Sequence, residues 1–236
     1  MSLALIKKAL RSHASLARRK SNKWFFKTGS GQYGWGDKFI GASVPDIRKV
    51  ARQFNELSFF DIKKLLWSKI HEERFCALLI LVHKFQTGKR QDKKQIYNFY
   101  LKNINCVNNW DLVDLSASKI MGEYLLNRSK QERKILYIFA RSKNIWLRRI
   151  AIISTYAFLR QNDFTGTFKI AKILLRDEHD LIHKAVGWML REIGKRDQQA
   201  EENFLKTHYR IMPRTMLRYA IERFPETKRK SYLVTK

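Results

Sequence analysis

Acidic residues are scarce in this chain. Its 236 residues hold 21 Asp plus Glu against 48 Lys plus Arg, a formal net charge of +27, far beyond the few units that keep a small domain soluble. That imbalance points to a polyanionic partner. Cysteine is rarer still. Cys76 and Cys106 both sit among apolar neighbours and cannot make the multi-bridge framework of a small secreted domain. A reducing compartment, the cytosol, is the expected setting. Long apolar runs are absent as well. The longest, Phe75 to Val82, falls well short of the roughly 18 to 20 residues that cross a bilayer, and no apolar core of a secretory signal is visible. No membrane association is expected. Only 3 prolines and 10 glycines occur, and Gly29, Gly31, Gly34, Gly36 and Gly41 crowd one N-terminal stretch, leaving the remainder almost without breaks.

What is present is enough to fold. With 44% hydrophobic and 13% aromatic residues, the chain is unlike a disordered basic tail, which is poor in both. From Pro45 onward apolar residues recur at three- and four-residue spacing, as in Phe75, Leu78, Leu79, Val82 and in Ile145, Ile152, Ile153, Tyr156, Leu159, the period of amphipathic helix. Ser43 before Pro45, and Ser129 with Glu132 three residues later, mark helix starts. Strand signals are nearly absent. An alanine lies inside an apolar helical stretch at Ala77, Ala117, Ala151, Ala185 and Ala220, steps close to 35 residues and so one helical hairpin each. Alanine is a common residue and chance spacing is the competing explanation. The repeat predicts an all-α superhelical solenoid of about six HEAT-like hairpins with a concave basic groove. One repeat domain is expected over 1–236: a basic N-terminal helix and Gly-rich loop at 1–44, helical repeats at 45–225 and a basic tail at 226–236. The segment before Asp37, the first acid, holds eight Lys or Arg. It has the composition of an organellar transit segment, but basic residues are dense throughout the chain, and the preferred reading is a basic amphipathic first helix of the fold.

Familiar catalytic patterns are missing: there is no P-loop, no His-Glu-x-x-His and no Cys-x-x-Cys, so neither metal nor cofactor is expected. His179 and His183 share a helical spacing but lack a third ligand, and read as surface or phosphate-contacting histidines. The glycines at 29–41 neither follow a strand nor open a dinucleotide-binding helix, and suit a flexible basic loop facing DNA. Trp110 and Asp114 lie four apart, on one helical face. An acid beside an indole in a basic groove repels an anionic ligand unless it has a task. A capping acid and a core indole fit the same spacing.

These residues resemble a known family. Trp110-Asp111-Leu112-Val113-Asp114, Asn144-Ile145-Trp146-Leu147-Arg148-Arg149 and Ala185-Val186-Gly187-Trp188-Met189-Leu190-Arg191-Glu192 are similar, in order and spacing, to the AlkD family of alkylpurine DNA glycosylases. The stretch Lys27 to Asp37, with Phe39, Gly41 and Pro45-Asp46-Ile47-Arg48, looks like the N-terminal pattern of many members. The resemblance covers about residues 20 to 225. It implies a stack of HEAT-like repeats around a basic groove and a DNA repair glycosylase acting on N3- or N7-alkylated purines in duplex DNA. Asp114 is then the catalytic carboxylate, with Trp110 and Trp188 beside the sugar of the lesion. Arg149, Arg191 and Lys195, together with Arg148 and Lys27, are then DNA contacts. The Gly-rich stretch differs from the shorter version in some members, so contacts made there do not carry over.

A purine alkylated at N7 or N3 is cationic and leaves as a neutral base, so hydrolysis needs no general acid. The resemblance implies a monofunctional enzyme without a base-holding pocket, selective for labile, charged lesions; an elongated monomer is the usual state of such a solenoid. Two other readings compete: a non-catalytic DNA-structure binder on the same repeats, and a helical scaffold for an acidic protein or ribosomal RNA.

Overall fold

In the computed structural model, residues 2–234 are described, and among them the fold is all helical, with one isolated parallel bridge between Lys38 and Ile70. The chain divides at Ser116/Ala117 into two compact units. The all-α architecture expected from the three- and four-residue apolar spacing is present in both.

The first unit is built around α5 (His71–Thr87), after α1 (Leu3–Arg11), α2 (Leu16–Phe25), α3 (Val44–Gln53) and α4 (Phe59–Leu66), and before α6 (Arg90–Lys102) and α7 (Trp110–Ser116). Helices α1, α3, α4, α6 and α7 all pack against α5. Its apolar residues therefore face neighbours on every side, and twelve of its residues are buried, the pattern of a central rather than a surface helix. The basic N-terminal stretch is two helices. Of these, α1 buries Ile6 and Leu10 and belongs to the core. Ser43 caps α3 by accepting from the Asp46 N–H, with Pro45 in the first turn, as the sequence predicts.

The second unit opens with a π-helical turn, Ala117–Gly122, and continues through α8 (Glu123–Leu126), α9 (Lys130–Ala140), α10 (Ile145–Ser154), α11 (Tyr156–Leu159), α12 (Thr165–Leu174), α13 (Asp180–Gly194), α14 (Gln198–His208), α15 (Arg214–Ala220) and α16 (Glu226–Val234). Ser129 and Glu132 form the capping box at the start of α9. The alanine period has a physical meaning here. The π turn packs on α10, α10 on α13 and α13 on α15, and these carry Ala117, Ala151, Ala185 and Ala220, each with no exposed surface. The helices bearing the small residue thus stand side by side, one per repeat. Gly187 tightens the same layer. A Cβ there would lie 2.5 Å from the Met216 carbonyl and from Tyr219 Cβ. Most of the expected basic tail is α16, and residues 235 and 236 lie outside the described residues.

Candidate active site

The expected site residues fall in both units: Lys27, Trp110 and Asp114 in the first, and Arg148, Arg149, Trp188, Arg191 and Lys195 in the second.

In the first unit, α7 begins where the Asn109 carbonyl accepts from the Val113 N–H at 3.1 Å and the Asn109 side chain accepts from the Trp110 N–H at 2.8 Å. Trp110 and Asp114 follow one turn apart on the short helix, both half-buried. The far end of α7 is tied by the Ser116 hydroxyl, which donates to the Leu112 carbonyl at 2.6 Å and lies 3.0 Å from the buried Tyr100 hydroxyl. The indole of Trp110 is also held from the side. Phe26 stacks on it with centroids 5.5 Å apart, and Phe25 meets it edge-on at 5.7 Å. An indole packed this way has few rotamers left, so its position is set before any ligand arrives.

Beneath this stack lies a charged cluster that sequence reasoning missed. His71, buried at the start of α5, donates Nε2–H to Asp111 at 2.7 Å and Nδ1–H to Asp37 at 3.2 Å. Arg74 pairs with Asp37 at 2.7 Å, and the Asn109 amide donates to Asp37 at 3.2 Å. The His71 ring lies 4.8 Å from Phe26 and 4.9 Å from Phe39. Burial alone would lower the His71 pKa, but the charge and hydrogen bond of Asp111 and the hydrogen bond of Asp37 outweigh burial and the opposing Arg74, raising it to about 9. Burial likewise pushes Asp37 upward, and the His71 and Arg74 contacts overcome it, leaving Asp37 below the usual carboxylate range. The cluster binds the end of the Gly-rich stretch, through Asp37, to the first turn of α7, through Asp111. The sequence signal was available: His-Glu-Glu-Arg at 71–74 opens a helix that is otherwise apolar.

The Gly-rich stretch, expected as a flexible loop, is a run of turns with a firmly tied end. Glu72, also buried, accepts the Gly41 N–H at 2.8 Å and the Ile40 N–H at 3.1 Å. Gly41 has φ of +84°, and a Cβ there would lie 2.2 Å from the Ser15 carbonyl, so glycine is required twice over. Lys27 is exposed at the end of α2.

In the second unit, α13 brings Trp188, Arg191 and Lys195 together at successive turns. The Trp188 indole N–H donates to Glu192 at 3.3 Å and its ring lies 6.3 Å from that of Tyr156. Glu192 also accepts from Lys195 at 2.5 Å and Arg196 at 3.3 Å. Those hydrogen bonds outweigh its burial and lower its pKa. Arg191 pairs with Glu222. Arg148, expected as a DNA contact, donates to Asp177 at 2.6 Å and to the Ser142 and Lys143 carbonyls, and all three of its side-chain nitrogens have partners within the protein. Arg149 is buried and donates to the Leu181 carbonyl. His179 caps α13 by accepting from the Leu181 N–H, and His183 contacts the Asp177 carbonyl. Among the described residues no group of three or more His, Cys, Asp or Glu is arranged to hold a metal ion, and no helix is long and apolar enough to cross a membrane.

The family described as "DNA alkylation repair enzyme" matches residues 6–224. Among solved structures, a predicted DNA alkylation repair enzyme from Enterococcus faecalis has the same fold, with a TM-score of 0.71 at 17% identity, covering 91% of this chain and 98% of that one. No curated protein matches the sequence.

Proposed function

This chain belongs to the DNA alkylation repair enzyme family, and from that premise we propose that it is a monofunctional glycosylase. It hydrolyses the N-glycosidic bond of cationic N3- or N7-alkylated purines, 3-methyladenine and 7-methylguanine, in duplex DNA and leaves an abasic site. The observation that carries this reading is α7. In a chain of charge +27, a carboxylate, Asp114, stands one turn from an indole whose position is locked by Phe25, Phe26 and the His71 cluster.

In the reaction the C1′–N bond breaks, its electron pair leaves with the base, and the base departs neutral because it was cationic. The sugar becomes oxocarbenium-like. Water then bonds to C1′ and gives its proton to Asp114 or to solvent. A carboxylate about 4 Å from the developing charge, at an effective dielectric near 20, stabilises it by about 4 kcal/mol, roughly a thousandfold in rate. Trp110, one turn from Asp114, adds cation–π attraction of about 0.5 to 2 kcal/mol for the charged nucleotide. Nothing in this chemistry calls for a metal, a cofactor or a Schiff-base lysine. Lys27, Arg191 and Lys195 hold phosphates, the last two by exchanging Glu222 and Glu192 for the DNA backbone. Arg148 and Arg149 act from behind, Arg148 tying the start of α10 to Asp177 before α13 and Arg149 tying it to the first turn of α13 at Leu181.

The test is release of free methylated purine from methylated duplex DNA by the native chain and by Asp114→Asn, with DNA binding measured for both. Release by the native chain alone, with binding by both, is the expected result. Binding by both with release by neither would make the protein a DNA-structure binder.

A further inference from the structure

None of the ten residues of helix α2 is buried. It is held at its ends instead. At the N-terminus the Ser15 N–H donates to the Ile40 carbonyl, and at the C-terminus the following residue, Phe26, is buried in the aromatic stack. Between these anchors the helix presents large rings to solvent: Trp24 is 83% exposed and Phe25 54% exposed. The turns after α2 fold back against it, with the Gly34 N–H donating to the Lys27 carbonyl at 3.1 Å and the Tyr33 hydroxyl to the Phe25 carbonyl at 3.4 Å. Immediately after that contact comes Trp35, 67% exposed. Two indoles are thus offered to solvent at one end of one short helix, where burying either would have contributed to stability.

Charge identifies the occupant. No acid precedes Asp37. Lys20 lies one turn before Trp24 and Lys23 adjoins it, while Lys27 closes the helix. With about 100° between successive residues, Lys20 and Lys23 lie on one side of Trp24, about 40° and about 100° away around the helix, and Arg18 stands two turns before Phe25. A membrane-surface helix separates its apolar face from its cationic one. Here the two are interleaved, the arrangement that takes a base on a ring and its phosphates on the neighbouring lysines. The surface is also continuous with the candidate site, because Phe25 packs edge-on against Trp110.

We propose that the end of α2 and the turn returning to it form a stacking platform for an unpaired DNA base near the lesion, with Trp24 and Trp35 taking the base and Lys20, Lys23 and Lys27 its phosphates. The inference rests on DNA being the ligand, as in the function proposed above, and is independent of whether Asp114 cleaves anything.

The experiment uses undamaged DNA, so base release plays no part in it. Fluorescence titrations compare a duplex containing one bulged 2-aminopurine with the fully paired duplex, for the native chain, W24A/W35A, the ring-retaining W24F/W35F and K20A/K23A. The native chain is expected to favour the bulge by about 5- to 100-fold, the range for stacking one base, with quenching of the probe. W24A/W35A should lose that preference while keeping its affinity for paired DNA, and W24F/W35F should keep most of it. K20A/K23A should weaken both duplexes alike and reduce the salt slope by about 2. Equal binding of bulged and paired DNA by the native chain overturns the proposal, as does an equal loss on both duplexes in W24A/W35A. Tryptophan-dependent binding to phosphatidylserine–phosphatidylcholine vesicles without any preference for the bulge overturns it too and makes α2 a membrane face.

Discussion

His71 permits a quantitative prediction. Its proton is held more tightly in the folded chain, at about 9 against an ordinary 6.5. The stability it contributes is therefore full below about pH 6.5 and is lost as the pH rises through about 9. The partners responsible are Asp111 and Asp37, with burial and Arg74 acting against them. Between about pH 7.5 and about pH 9.5 the loss is on the order of 2 kcal/mol, or roughly 4 to 8 °C in melting temperature for a domain of this size. The assay is urea unfolding of the native chain and of His71→Gln at both pH values, monitored by tryptophan fluorescence. The variant is expected to be less stable at the lower pH and nearly equal in pH response to a chain without this titration. The native-minus-variant difference should therefore shrink by about 2 kcal/mol at the higher pH. Taking that difference removes other groups that titrate in the same range, Glu201 among them. A histidine Cε1–H resonance assigned to His71 should titrate well above 6.5. A resonance titrating at the ordinary value, or a native-minus-variant difference that is the same at both pH values, would refute the reasoning. Either outcome would mean that the ring is not held as a cation between the two carboxylates.

Further outcomes are expected elsewhere. Glu201 is buried with one carboxylate oxygen unpartnered; burial, aided by Glu202 and partly offset by Arg191, raises its pKa to about 8. Folding binds this proton, so the second unit loses stability as the pH rises toward and through 8, by on the order of a few kcal/mol, and Glu201→Gln should flatten that decline in urea titrations. Gly187→Ala drives a methyl into the Met216 carbonyl and Tyr219 and should cost about 1 to 3 kcal/mol or more by overpacking, measurable as a lowered urea midpoint. Ser129→Ala removes the capping box of α9 and should cost about 1 kcal/mol, while Ser129→Asp should restore most of it. Lys195→Ala should lower the slope of log affinity against log salt by about 0.9, and an unchanged slope would remove Lys195 from the DNA contacts.

Much of the architecture follows from local pattern. The spacing of Phe75, Leu78, Leu79 and Val82, the caps at Ser43 and Ser129, and the recurring alanines are legible because helix formation depends on neighbours three or four residues away. The alanine at each period is there to let adjacent helices approach, and in the second unit those helices do stand side by side. Net charge is legible for the same reason, being a sum over residues that needs no geometry. The pairing of Trp110 with Asp114 on one face is likewise a matter of four-residue spacing.

What the tertiary structure decided is which of these groups are committed to one another. His71 meets partners 34 and 40 residues away, and Arg148 meets Asp177 at a distance of 29. No periodicity encodes such a pairing, because it depends on how separate helices pack. Arg148 and Lys27 look alike in sequence, yet one is spent on internal contacts and the other is exposed. Trp146 and Trp24 both lie on helices among basic residues, but Trp146 is buried and Trp24 faces solvent. Apolar spacing determined that this chain folds as helices, and composition that it carries a large excess of positive charge; packing alone determined which side chains are left at the surface, since exposure is a property of the neighbours that tertiary contacts supply.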